Sequence, residues 1–335
     1  MSDELELEQE QPPVGYVSTG RLPPPEQVQH MVDDAYQQYR SHAGGEISRV
    51  YPALASVNGD LFGIALAGIS GDVFARGDTE HPFTIMSISK PFVFALVCAH
   101  LGPRKLRELV GVNSTGLPFN SVAAVEQSMD GRTNPMVNPG AIATTSLAPG
   151  TRSDVKWKFI SDGLARFAGR ELALNDQVYA SASDTNHRNR GIASMLQSLN
   201  RIYCDPLDAI DLYTRQCSLD VSARDLAVMG ATLADGGLNP VTGEQVVEPM
   251  VCRYTLAIMS TAGLYETSGD WLYDIGLPGK SGIGGGIVTV APGKGALGTF
   301  APPLDGAGNS VKGQLVARFL SHRLGLNLFQ SKPAV

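Results

Sequence analysis

Strand-like stretches stand near the two ends of the sequence, and the long middle reads as helix. "LFGIALA" (61–67) and "DVFARGD" (72–78) predict a β-hairpin around "GISG". "GIVTVAP" and "ALGTFAP" predict two further strands close to the C-terminus, and "VKGQLVARFLSHRLGL" closes the chain as a helix. Another helix is expected near "PEQVQHMVDDAYQQYRSH", with Val28, Met31, Val32, Ala35 and Tyr36 on one face. Between about 80 and 240 the apolar spacing is helical: Ile160, Leu164 and Phe167 share a face, as do Ile192, Met195, Leu196 and Leu199. "SARDLAVMGATLADGG" begins with a Ser222…Asp225 cap and stops at Gly236-Gly237. Such an order forces the ends together if one sheet is to be completed. The expected fold class is α+β: an antiparallel sheet flanked by helices, with an inserted all-helical subdomain. Residues 1–25, acidic and then Pro-rich, are expected to form a flexible tail. Residues 26–330 are expected to form a single domain, its α/β part 26–80 plus 240–328 and its helical part 81–239.

Composition excludes several function classes. The net charge is −7, and the first ten residues hold five acids and no base, leaving about −2 for the rest. That balance argues against nucleic-acid partners. The four cysteines, Cys98, Cys204, Cys217 and Cys252, form no CxxC pair, so no metal site is expected. Cys98 lies in an apolar helical run and reads as a buried thiol. No apolar run reaches the roughly 18 residues of a membrane span, and no secretory h-region is evident, so a cytoplasmic setting is expected.

Two short motifs carry chemistry. In "FTIMSISKPFVFALVCAH" (83–100), Ser87 and Lys90 form an S-x-x-K pair. The pattern alone says little, because "SDVK" (153–156) repeats it where Ser153 reads as an ordinary helix N-cap. Ser87 differs in context: an apolar stretch leads into it and an apolar helix leaves it, with Pro91 in the first turn. Residues three apart share a helix face, so Ser87 and Lys90 can meet. A buried lysine is expensive unless neutral, and a neutral lysine can take a serine proton. The bland alternative is a capping serine beside a snorkelling lysine. The second motif is "GLPGKSGIGGGIVTV" (276–290). It matches neither a Walker A loop nor a dinucleotide fingerprint. It is either a Gly-rich turn into a strand or the K-[ST]-G strand that accompanies S-x-x-K in penicillin-recognising enzymes. In the second case Lys280 supplies a second cation.

With these stretches stand "NPMVNPGAI", "TNHRNRGIA", "CSLDVSARDLAVMGATLADGGLNP", "TAGLYETSGDW" and "PPLDGAGNSVKG". Together they make residues 27–328 resemble the bacterial-type glutaminases, Ser-Lys glutamine amidohydrolases of β-lactamase-like fold. The resemblance implies hydrolysis of L-glutamine to L-glutamate and ammonia without a cofactor. It implies Ser87 as nucleophile and Lys90 as its base, with Tyr265 close enough to relay the proton. It implies substrate contacts from Asn138, Asn189, Tyr213 and Tyr265. It also implies an oxyanion hole made by the backbone N–H groups of Ser87 and Ile283, where Ile replaces the family's usual Val. A homodimer or homotetramer is expected by the same resemblance. From the residues alone, Asn138 before "PG" reads as a turn residue and the tyrosines as part-buried core.

Three positions depart from the family pattern. Val50 stands at the pocket tyrosine, with Tyr51 one place along. Met86 stands at a Gln and Ala182 at a Glu expected to face the substrate's α-ammonium. Asp184 is the available substitute. The altered pocket fits a glutaminase with rearranged recognition, an amidase for an amide lacking the α-amino group, or a non-catalytic binding relative. The different-class rivals are a penicillin-recognising enzyme and a binding module.

Overall fold

The computed structural model describes residues 21–330, and the two ends of that span meet in one antiparallel sheet. Its strands are β1 (Gly63–Gly68) and β2 (Val73–Gly77), then β5 (Gly279–Ser281), β6 (Gly286–Ala291) and β7 (Gly295–Phe300), in the order β2-β1-β7-β6-β5. The C-terminal hairpin β6–β7 inserts between the N-terminal hairpin and β5, with Ile64 opposite Thr299 and Leu66 opposite Leu297. A separate pair, β3 (Phe83–Thr84) and β4 (Asp220–Val221), lies where the chain leaves the sheet for the helices.

The strand period of two sorts β1 between two cores. Ile64 and Leu66 face one layer, shared with α1 (Pro25–Tyr39), α12 (Ser268–Ile275) and α13 (Val311–Arg323). Ala65 and Ala67 face the other, where α10 (Ala223–Ala234) lies. That second face is small-residued for a reason. A Cβ on Gly298 of β7 would stand 2.1 Å from the Ala223 carbonyl oxygen, so α10 rests on bare strand backbone. Behind α10 come α2 (Ser89–Leu101), α6 (Ser153–Ala168) and α11 (Pro249–Ala262). Short α3 (Pro103–Val110) and α4 (Ala123–Glu126) lead to α5 (Asn138–Ser146), which packs with α8 (His187–Ser198) and α9 (Pro206–Cys217). Helix α7 (Asp176–Thr185) closes that group against the 3-10 turn Pro52–Ser56.

Several expectations are revised. Ser153 does not cap α6: Arg152 holds the cap position in extended backbone, and Asp154 spends its carboxylate on the Arg152 guanidinium. Leu199 falls just beyond the end of α8 and is 40% exposed. The expected tail lies mostly outside the described residues. Of its last residues, Leu22 packs on the α1 core and Pro25 already opens α1. Helix α10, grouped by sequence with the helical part, covers the sheet, and one core runs from α10 into α2 and α6. The capping box of α10 forms as read, with Ser222 and Asp225 exchanging side-chain and backbone bonds.

Candidate active site

The apolar stretch before Ser87 becomes β3, a 3-10 turn over Met86–Ile88 and then α2. Helix α2 is buried through ten successive residues, so it carries Lys90 inward. At its entry Met86 holds φ +48°, left-handed backbone rare for a residue with a side chain. Among the described residues only three non-glycines have positive φ, and two of them, Met86 and Tyr265, belong to this site. Each is strained by about 1–3 kcal/mol and held there by its surroundings. The Gly-rich run explains part of that hold. Cβ atoms on Gly282 and Gly284 would stand 2.9 and 2.5 Å from the carbonyl oxygens of Ile85 and Thr84. The turn after β5 therefore lies directly against the turn that carries Ser87.

Ser87 lines a cavity of about 100 Å³ between this turn, α7, α8 and α9. Its hydroxyl opens on that cavity, near the hydroxyl of Tyr265. Lys90 is buried behind it. Its Nζ donates to the Met136 carbonyl at 3.1 Å and to Asn138 Oδ1 at 2.8 Å. Burial pushes the Lys90 ammonium down to about 7, the Cys217 thiol opposing slightly. Lys280, on β5, is also fully buried. Its Nζ donates to the Ser281 carbonyl at 2.7 Å and stands 3.9 Å from the centre of the Tyr265 ring. Burial first, and the Lys90 cation second, hold it well below the usual lysine range.

Tyr265 sits between these groups. Its hydroxyl is buried and makes no well-formed hydrogen bond. The hydroxyls of Ser87 and Ser281 are near enough to offset in part the upward push of burial on its acidity. Phe119 supports the ring from the far side, with centroids 5.1 Å apart. Asn138 is the hub: its Oδ1 accepts from Lys90 and from the Tyr213 hydroxyl at 3.0 Å, and its Nδ2 donates to Asn189 Oδ1 at 2.9 Å. Its polar atoms thus bind Lys90, Tyr213 and Asn189, while the residue still lines the cavity. It begins α5 as the first helical residue instead of forming a free turn. Ile283 faces the cavity, and neither its backbone N–H nor that of Ser87 has a protein acceptor among the described residues.

Buried hydrogen bonds behind it fix the strained turn. Ser89 Oγ donates to the Met86 carbonyl at 2.8 Å and accepts from Gln216 Nε2 at 3.3 Å, and Thr145 Oγ1 donates to Gln216 Oε1 at 2.8 Å. All three side chains are fully buried. Ser89→Ala is expected to cost about 1–3 kcal/mol of stability, because two buried partners lose their bonds. It should also lower kcat about tenfold with KM little changed, since Ser87 is the next residue after Met86. Urea unfolding and steady-state kinetics on the same preparation check this, and an unchanged kcat would make Ser89 purely structural.

The sequence profile of the glutaminase family matches residues 45–329. "Glutaminase 2" of Yersinia pestis is 66% identical over 320 residues, covering 96% of this chain and 94% of that protein. This chain belongs to the glutaminase family. Among solved structures, "Probable glutaminase ybaS" superposes with a TM-score of 0.90 at 44% identity, covering 92% of this chain and 99% of that one. "Mglu in its tris and glutamate form" does so with 0.87 at 33%, covering 91% and 68%. The fold is accordingly the β-lactamase-like arrangement of that family.

In this glutaminase-family chain two of the three departures line the cavity. Met86 and Val50 line the cavity, Val50 half-exposed at its mouth, and Tyr51 lines it too. Ala182 is buried on α7, one turn before the cavity residues Thr185 and Asn186. Asp184 is exposed and does not line the cavity, because a two-residue step turns it to the other side of α7. Cys217, Arg188, Phe119 and Asn186 also line the cavity and were not singled out from sequence. Two had a signal: Cys217 stands four residues after Tyr213, on the same face of α9, and Arg188 immediately precedes Asn189.

Proposed function

We propose that this protein hydrolyses the side-chain carboxamide of L-glutamine to L-glutamate and ammonia through an acyl-enzyme on Ser87. One observation carries the reading. The Ser87 hydroxyl is open to the cavity, one turn before a buried lysine whose two hydrogen-bond acceptors lie elsewhere. A neutral lysine has two N–H groups and a lone pair. Met136 and Asn138 take both N–H groups, so the lone pair remains for the Ser87 proton. Ser87 Oγ attacks the carboxamide carbon as that proton passes to Lys90. The developing oxyanion is received by the N–H groups of Ser87 and Ile283. The proton then goes to the leaving nitrogen, with Tyr265 as relay, and the C–N bond breaks to release ammonia. Water attacks the ester, Lys90 takes its proton, and glutamate leaves with the Ser87 proton restored. Kinship with named glutaminases supports glutamine as substrate.

We propose further that residues 26–330 act as a single catalytic unit, as a homodimer or homotetramer in a cytoplasmic setting. All four cysteines are free, which suits that setting. Among the described residues no helix is long and apolar enough to cross a membrane.

The test is partition of the acyl-enzyme. With L-glutamine the protein is expected to release ammonia and glutamate one for one. Added hydroxylamine should divert glutamate into the γ-hydroxamate at an undiminished ammonia rate. Ammonia release without hydroxamate would argue for direct attack by water, and no ammonia at all would overturn the reading.

A further inference from the structure

Of the side chains that line the cavity beside Ser87, Arg188 alone is ionic, and it is exposed, on the rim. Its Nε donates to the Asn120 carbonyl at 2.6 Å, which fixes one edge of the guanidinium and leaves the Nη groups to donate elsewhere. Arg188 stands in the first turn of α8. Asn186, just before that helix, and Asn189, within it, also line the cavity, so the positive end of α8 belongs to the same wall.

The hydrogen bonds already made inside the cavity limit what its other polar groups can offer. L-Glutamine carries an α-carboxylate, which only accepts, and an α-ammonium, which only donates. Asn138 spends Oδ1 on Lys90 and Tyr213 and an Nδ2 hydrogen on Asn189. Tyr213 gives its O–H to Asn138, so towards a ligand its oxygen can accept but not donate. It suits the ammonium, not the carboxylate. Asn189 has its Oδ1 taken by Asn138, which leaves its Nδ2 as a neutral donor beside Arg188. A carboxylate on this wall therefore has one cationic partner, and its planar fork matches two carboxylate oxygens.

We propose that Arg188 is a specificity-determining residue, whose guanidinium binds the α-carboxylate of L-glutamine at the rim and so selects carboxamides that carry an anion at the end remote from the amide. The proposal rests on the Ser87 amidohydrolase reading above. The α-carboxylate takes no part in the bond changes at the amide, so this contact is equally strong in the ground and transition states. It sets KM and leaves the chemical step alone.

Ammonia release from L-glutamine and from 4-aminobutanamide, which is glutamine without its α-carboxylate, tests it in the parent, Arg188→Gln, Arg188→Lys and Arg190→Gln. Arg188→Gln is expected to raise KM for L-glutamine about tenfold or more, with kcat within about threefold of the parent. Arg188→Lys keeps the charge but loses the fork, and should fall between the two. The parent should prefer L-glutamine to 4-aminobutanamide in kcat/KM by about tenfold or more, and Arg188→Gln should shrink that preference by the factor it adds to KM. Arg190 is also exposed on α8, but it donates to the Ser183 carbonyl and does not line the cavity. Arg190→Gln should therefore leave KM alone. An equal rise in KM there would mean that the net charge of α8 acts instead of a contact, and overturns the proposal. An unchanged KM in Arg188→Gln overturns it too. So does a loss confined to kcat or shared equally by the two amides, since Arg188 would then act through the Asn120 carbonyl on the neighbouring Phe119, which supports Tyr265. Each of these leaves the amidohydrolase reading intact. No Ser87-dependent ammonia from either amide in the parent overturns both.

Discussion

Ser87→Ala is expected to abolish glutamine turnover, lowering kcat by about ten-thousand-fold or more, while the melting temperature stays within about 2 °C of the parent. The two halves have one cause. The Ser87 hydroxyl opens on the cavity, and its neighbour, the Tyr265 hydroxyl, already makes no well-formed hydrogen bond, so its loss costs the fold little. In the proposed reaction it is the attacking atom, and neither the N–H groups proposed to receive the oxyanion nor Lys90 would form a covalent bond to carbon in its place. Steady-state assays and thermal unfolding of the same sample decide it. An alanine variant that retains most of its activity would remove the acyl-enzyme from the mechanism. A variant that is inactive but strongly destabilised would show that the hydroxyl supports the turn.

How much of this was legible differs from residue to residue. The meeting of the chain ends in one sheet followed from strand patterns at both ends and from the helical middle. The pair Ser87 and Lys90, and Lys280 on its strand, followed from two motifs whose contexts agreed. Tyr265, Asn138, Asn189, Tyr213 and Ile283 came through the family resemblance and not through physics, since a lone Asn or Tyr has no period to betray it. The strain at Met86 and Tyr265 left no trace either. Glycine announces positive φ, but here the conformation is imposed on other residues by tertiary packing. The glycine run at 282–286 read as a turn, whereas its tight approach to Thr84 and Ile85 depends on a contact about two hundred residues away in sequence. Asp184 fails as a stand-in for a carboxylate at 182 by helix geometry that the sequence already contained, once α7 is known to run through both positions.

Lys90→Met is expected to lower kcat about as much as Ser87→Ala, and to make the protein more stable at pH 7 rather than less. Activity is lost because no neighbouring base replaces it: Lys280 donates to the Ser281 carbonyl and lies over the Tyr265 ring. The stability claim follows from proton linkage. The Lys90 ammonium is pushed from 10.5 down to about 7 in the folded protein, so between those values the unfolded chain binds the proton and the folded chain does not. Stability contributed by this group therefore rises with pH across that window, and the full penalty is felt below about 7. The shift corresponds to a penalty on the order of 5 kcal/mol, against about 1 kcal/mol for each of the two hydrogen bonds lost with the Nζ. Methionine fills similar space without a charge to desolvate. The gain in melting temperature over the parent should be largest near pH 6, and should shrink and reverse as pH approaches 10. The parent's kcat/KM should fall about tenfold per pH unit below 7 and level off above it, because in the proposed mechanism only neutral Lys90 accepts the serine proton. A flat pH–rate profile between pH 5 and 8, or a Lys90→Met protein less stable than the parent at pH 6, would mean that Lys90 is held as a structural ammonium and that another group takes the proton.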